Sequence, residues 1–129
     1  MPDDDEVLVK TELSAISAGS EMLVYRGLVP RDEPVDEMLP DLPGRFQYPV
    51  QYGYATVGKV VQCGRAVDPS LRDRRVFAFH PHESIFVTAA SRIVLLPDDL
   101  ADEDAVFLPN MDTALTLIMD ARPVIGERV

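Results

Sequence analysis

His80 and His82 flank Pro81, with Glu83 next in the chain. On a strand, a His-x-His pair sets both rings on one face, a spacing that a metal can use. The same four residues also read as a hairpin turn between two strand-like runs, where the rings face water. Cys63 is the only cysteine. It can form neither an internal disulfide nor a cysteine-rich zinc site, and it reads as a half-buried strand thiol. Serine, histidine and aspartate all occur, but no serine sits in a nucleophile elbow, so the sequence gives hydrolysis little support. Gly53 to Gly58 is Gly-x-x-x-x-Gly within a strand-like run and opens no helix, so it is no nucleotide-phosphate fingerprint.

These residues must be positioned by short, glycine-punctuated elements. From Val7 to Ser17 the chain alternates, with Val7, Val9, Thr11, Leu13 and Ala15 on one side and Lys10, Glu12 and Ser14 on the other, as a half-buried strand requires. Residues 18–27 predict a short helix that Ser20 can cap and Gly27 can end in a left-handed conformation. Residues 28–49 lose all periodicity and carry Pro30, Pro34, Pro40, Pro43 and Pro49 among acidic residues, which predicts a long surface loop, a lid or a plain excursion.

Strand chemistry returns from Val50 to Cys63, where Gly53 and Gly58 predict a bulge or sharp coil. Arg75 to Phe79 and Ser84 to Thr88 are two further strands, and Ile93 to Leu96 is a short last one that Pro97 stops. An acidic-headed helix is expected over Ala101 to Leu108. A second helix from Asn110 shows Met111, Ala114, Leu115, Ile118 and Met119 on one face and is closed by Pro123. Short strands followed by helices, with no helix between the strands, favour a mainly β antiparallel barrel over a parallel sheet.

The length suits one domain with a single core. Lys+Arg 12 against Asp+Glu 22 gives a net charge of −10, which argues against a nucleic-acid partner, since phosphate-backbone binding needs a basic face. No apolar run approaches the ~20 residues that span a bilayer, so no membrane role is expected. The acidic start, Met1-Pro2-Asp3-Asp4-Asp5-Glu6, is unlike a secretory signal, and a reducing cytoplasm is the expected location.

Several segments in order resemble one family. Glu6-Val7-Leu8-Val9-Lys10 and Ile16-Ser17-Ala18-Gly19-Ser20-Glu21 are similar to the opening of the catalytic domain of medium-chain dehydrogenases/reductases, where such a strand enters a Cys-Gly-Thr/Ser-Asp turn. Gly53-Tyr54-Ala55-Thr56-Val57-Gly58-Lys59-Val60-Val61 resembles the family's Gly-His-Glu-x-x-Gly-x-Val strand, and Arg74-Arg75-Val76 its Gly-Asp-Arg-Val step. Gly126-Glu127-Arg128-Val129 resembles the Pro-Gly-Asp-x-Val that leads into the first Rossmann strand. Within the superfamily, the segments 16–27, 52–58 and 110–115 look most like a bacteriochlorophyllide dehydrogenase-like, threonine dehydrogenase-related subgroup.

The resemblance implies a GroES-like twisted, partly open β-barrel with short helices. It places a GroES-like segment over 1–122, and over 123–129 the start of a linker into a Rossmann domain that the chain lacks. It implies a small-molecule substrate, NAD or NADP in the full-length protein, and a homodimer there. The family's opening β-hairpin would precede Glu6, so both ends are expected to be truncated and the isolated chain to be inactive, with no cofactor of its own. A non-enzymatic GroES-like binding module is the alternative.

Departures from the family pattern bear on the site. Its catalytic zinc ligands correspond here to Ala18, Tyr54 and roughly Pro109 or Asn110, so no zinc is expected. Ser20 aligns with the family's proton-relaying hydroxyl; it would bond a substrate oxygen or simply cap the helix. Tyr54, in the vacated ligand position, would act as an acid or fill the metal's volume. Asn110 and Thr113 begin the helix that faces the nicotinamide in relatives, and would contact cofactor or cap that helix. Glu21 resembles a supporting acidic residue, for which Arg26 is a candidate partner, though an exposed helix arginine is the default reading of Arg26.

Overall fold

The computed structural model describes residues 1–30 and 48–121. Most of the proline-rich stretch, the helix stop at Pro123 and the 123–129 linker therefore lie outside the described residues. The elements run β1 (Glu6–Ser14), α1 (Ser20–Tyr25), β2 (Thr56–Cys63), β3 (Arg75–Ala78), β4 (Ile85–Ala89), β5 (Ile93–Leu95), α2 (Asp102–Ala105) and α3 (Leu108–Ala121), with single 3-10 turns at Pro69–Leu71 and Ala90–Arg92. The strands form one antiparallel sheet in the order β4-β1-β2-β3-β5. Its inner face curls around two apolar clusters, giving the mainly β, partly open barrel with short helices that the sequence predicts.

The alternation of β1 does what its pattern requires. Val7 and Val9 are fully buried and join Val60, Val76, Ala78 and Phe86 in one cluster. Past a register shift between Thr11 and Leu13, Leu13 and Ala15 turn to the second cluster, built on Val57, Phe77, Leu96, Ala105 and Val106. Gly58 sits opposite that shift, paired with Thr11. A Cβ on Gly58 would stand 2.5 Å from the Lys10 carbonyl oxygen, so the absent side chain is what lets the two strands close at the bulge.

The connection between β3 and β4 corrects the sequence reading. A hairpin was expected across residues 80–83, but β3 and β4 lie in different halves of the sheet, with β2 and β1 between them. Residues 79–84 are a crossover. Its backbone polar groups are taken up as it goes: Thr56 Oγ1 donates to the His80 carbonyl at 3.1 Å, and the His82 amide donates to the Tyr52 carbonyl at 3.3 Å. Thr11 donates its hydroxyl to the Glu83 carbonyl and its amide to that of Ser84. A crossover pressed onto the sheet must satisfy these groups internally, so its histidines are drawn in with it. His80 is 7% exposed and stacks on Phe86 with ring centroids 3.8 Å apart.

The helices are short and local. Gly19, not Ser20, occupies the N-cap of α1, and no side chain caps that end. Gly27 ends the segment at φ +66°, as expected, with its amide bonded to the Val24 carbonyl. Arg75 holds α2 to the sheet through Asp102 at 2.9 Å and the Pro97 and Leu100 carbonyls. The predicted apolar face of α3 is present, but Met111, Leu115, Ile118 and Met119 are all more than half exposed, so among the described residues nothing covers it.

Substituting Gly58→Ala should lower unfolding stability by about 1–3 kcal/mol, because the added methyl overlaps backbone that can move only with the ladder. Gly19→Ala, where a Cβ meets nothing within 4 Å, should stay within about 0.5 kcal/mol. Urea midpoints of the two variants check the contrast.

Candidate functional site

The end of β1, helix α1, the strand entry at 52–55 and the 79–84 crossover converge on one group of polar side chains. Ser20, the first residue of α1, places its hydroxyl oxygen 3.3 Å from that of Tyr54 and donates to Ser17 Oγ at 3.1 Å. Tyr54 is partly buried and meets Tyr52 edge-on, with ring centroids 6.4 Å apart. Ser20 and Tyr54, each singled out in the sequence, therefore stand side by side. Ser20 is no helix cap, which leaves its oxygen for Ser17, Tyr54 and any ligand.

Glu21, on the next position of α1, is only 8% exposed. A carboxylate so buried must be compensated. Its Oε1 accepts the Ser17 backbone amide at 2.8 Å, and its Oε2 lies 2.6 Å from His82 Nε2. The other imidazole nitrogen, Nδ1, lies 3.0 Å from Ser14 Oγ. Gly53 backs the ring: it sits at φ +128°, and a Cβ there would come within 2.7 Å of His82 Cδ2. The ring is thus held on three sides. Among the described residues no buried side-chain nitrogen or oxygen lacks a partner.

The carboxylate's partner is therefore His82 and not Arg26, which is exposed at the C-cap of α1. Sequence spacing could not show this, since the two residues stand 61 positions apart and meet only because 79–84 crosses the sheet. His80 and His82 also do not share a face: His80 turns inward to Phe86, and its Nδ1 lies 3.1 Å from the Pro81 carbonyl. Among the described residues no three His, Cys, Asp or Glu side chains cluster in a way that could hold a metal ion.

Asn110 and Thr113 are exposed on α3, and Thr113 donates its hydroxyl to the Pro109 carbonyl of its own helix at 2.9 Å. The structure does not bring them to the Ser20–Tyr54 pair by any hydrogen bond it shows. A separate cavity of about 410 Å³ is lined by Glu12, Lys59, Asp73, Arg74, Arg75 and Asp98. Its three cations each lie within ion-pair distance of an aspartate, Lys59 of Asp73, Arg74 of Asp98 and Arg75 of Asp102.

No protein-family model and no curated protein sequence matches the chain. Solved structures do. The chain is similar to a short chain alcohol dehydrogenase from Escherichia coli complexed with NADH, at 20% identity and a TM-score of 0.71, over 96% of this chain and 40% of that one. It is also similar to a Bacillus thuringiensis protein described as an NADPH:quinone reductase, at 23% identity and a TM-score of 0.67, over 94% and 34%. A third is the quinone oxidoreductase of Escherichia coli complexed with NADPH, at 18% identity and a TM-score of 0.65, over 91% and 33%. The chain thus spans about a third to two fifths of these structures' length. At such identities the likeness establishes the fold, the GroES-like partly open barrel.

His82→Ala should cost about 1–3 kcal/mol of stability, since it leaves the buried Glu21 oxygen without its partner, while Arg26→Ala stays within about 0.5 kcal/mol. Chemical denaturation of both variants decides between the two assignments of the carboxylate's partner.

Proposed function

We propose that this chain is the substrate-side domain of a zinc-independent, NAD(P)-dependent oxidoreductase of the medium-chain dehydrogenase/reductase kind, one that handles alcohols or carbonyl compounds. The observation that carries the reading is the Ser20–Tyr54 hydroxyl pair, 3.3 Å apart, on a fold shared with oxidoreductases solved with NADH and NADPH.

Two hydroxyls so placed can hold one oxygen atom. Tyr54 can turn its proton to a carbonyl oxygen and either hydroxyl oxygen can accept from an alcohol, so the pair serves both directions of an oxidation–reduction. Charge that develops on that oxygen is met by hydrogen bonds, because Ala18 has no donor atom and Tyr54 fills the position where a zinc ligand would stand. Ser20 is in turn oriented by Ser17, whose backbone amide is fixed by Glu21. The nicotinamide, when bound, supplies the hydride exchange. The described residues fit the substrate half of such a site and not the dinucleotide's phosphates: Gly58 lies within β2, and Gly53 presses on His82. The phosphates would bind a Rossmann domain in the full-length protein, a cytoplasmic homodimer on this reading. Asn110 and Thr113 on α3 would meet the cofactor from this side. The isolated chain should be inactive as an oxidoreductase.

A second reading, a non-enzymatic binding module, draws on the apolar face of α3 that no described residue covers, where Met111, Leu115 and Ile118 would seat a partner.

The full-length gene product separates the two. It should oxidise NADH or NADPH against some member of a panel of aldehydes, ketones and quinones, with or without a chelator. Ser20→Ala and Tyr54→Phe should each lower kcat/KM by about 10²-fold. Stoichiometric zinc in the purified protein, loss of rate with chelator, or rates indifferent to both substitutions would contradict the proposal.

A further inference from the structure

A second chemistry is laid out beside the hydroxyl pair. Ser14 Oγ, His82 and Glu21 are joined in the order serine–imidazole–carboxylate, at 3.0 Å and 2.6 Å. The three residues come from β1, the crossover and α1, so no local motif announces them. We propose that Ser14 is a nucleophile activated by His82, and that this site takes small activated carboxylic esters as acyl donors.

The case rests on which nitrogen carries the proton. Glu21 is buried, and its other oxygen already accepts the Ser17 amide, so the 2.6 Å contact to Nε2 places a proton between a carboxylate acceptor and an imidazole donor. With Nε2 protonated and the ring in its neutral form, the lone pair sits at Nδ1, and Ser14 Oγ, 3.0 Å away, is within reach to donate its hydrogen to it. That is the arrangement of a general base oriented by a third group, with the two ring nitrogens exchanged relative to the familiar serine triad. Gly53 closes one face of the ring and the Glu21 bond fixes its plane, so the base cannot turn away from Ser14. Access is open: Ser14 is half-buried, and the His82 side chain is 28% exposed.

The reaction balances within these groups and water. Ser14 Oγ bonds to the ester carbonyl carbon and its proton passes to His82 Nδ1. Collapse of the tetrahedral intermediate breaks the bond to the alkoxide, which departs with that proton as the alcohol. Water, deprotonated by the same Nδ1, then attacks the acyl-serine ester and releases the carboxylic acid, restoring the Ser14 hydroxyl. A purely structural triad would keep the hydrogen bonds and perform neither step.

The 129-residue chain is treated with a fluorophosphonate, which forms a phosphorus–oxygen bond to an activated serine and expels fluoride, and the adduct is mapped by peptide mass spectrometry. Ser14 should label at least about 10²-fold faster than the exposed Ser70 and Ser91. Hydrolysis of p-nitrophenyl acetate by the chain should fall to background in Ser14→Ala. Glu21→Gln adds a test that a structural role would not pass. The Ser17 amide claims the new side chain's only oxygen, so the amide NH₂ faces His82 Nε2 and moves the ring proton to Nδ1. Ser14 then loses its base, and both rates should fall by at least about 10²-fold in a variant that circular dichroism shows to be folded. Labelling of Ser14 no faster than of Ser70 and Ser91, or ester hydrolysis unchanged in Ser14→Ala, overturns the proposal, and the mapping on the unaltered chain stands whether or not Glu21→Gln folds.

Discussion

A carboxylate buried at the start of a six-residue helix organises this molecule. Glu21 cannot be left in a poorly solvated position without donors, and the donors it finds come from two directions. One is the Ser17 amide, which sets the path of the chain from β1 into α1. The other is His82, which belongs to a crossover 61 residues further on. Meeting both requirements at once brings Ser14, Ser17 and Ser20 into one polar group, and Tyr54 joins it through the Ser20 hydroxyl.

The sheet makes that meeting geometrically available. Register shifts in β1 and the missing side chain at Gly58 let β1 and β2 coil sharply, so the sheet curls far enough for residues 79–84 to pass from one side to the other. Small residues recur where the curl is tightest around the site: a Cβ at Gly53 would enter the His82 ring, and one at Gly58 would enter the β1 backbone. Gly53 thus makes room for the imidazole of the polar group, and Gly58 for the closure of β2 on β1.

Local features were legible in the sequence, and long-range ones were not. The alternation over Val7 to Ala15 named the buried side of β1, Gly27 marked the left-handed end of α1, and the order of short strands before helices gave an antiparallel barrel. Each of these follows from propensity or periodicity within a dozen residues. The hairpin expected at His80 to Glu83 failed because strand-like runs adjacent in sequence carry no mark of whether they pair or cross. For the same reason the sequence offers Glu21 only the nearby Arg26 as a candidate partner, beside the plain reading of an exposed helix arginine that the structure bears out, while the actual partner arrives through tertiary topology. Ser20 and Tyr54 were singled out through family resemblance and do stand together, whereas the expected cap role of Ser20 fell to Gly19. The exposed face of α3 kept its predicted pattern without a partner among the described residues.

The proposed oxygen-holding pair and the proposed serine with its base share one polar group, and the serine's chemistry depends on the imidazole being fixed in plane and in tautomer by Glu21. The most direct measurement is the nitrogen-15 NMR spectrum of the His82 ring at neutral pH. The account predicts a pyrrole-type, protonated Nε2 with its proton strongly shifted by the carboxylate, and a pyridine-type Nδ1. A ring protonated at Nδ1 instead, or one averaging freely between the two forms, would contradict it.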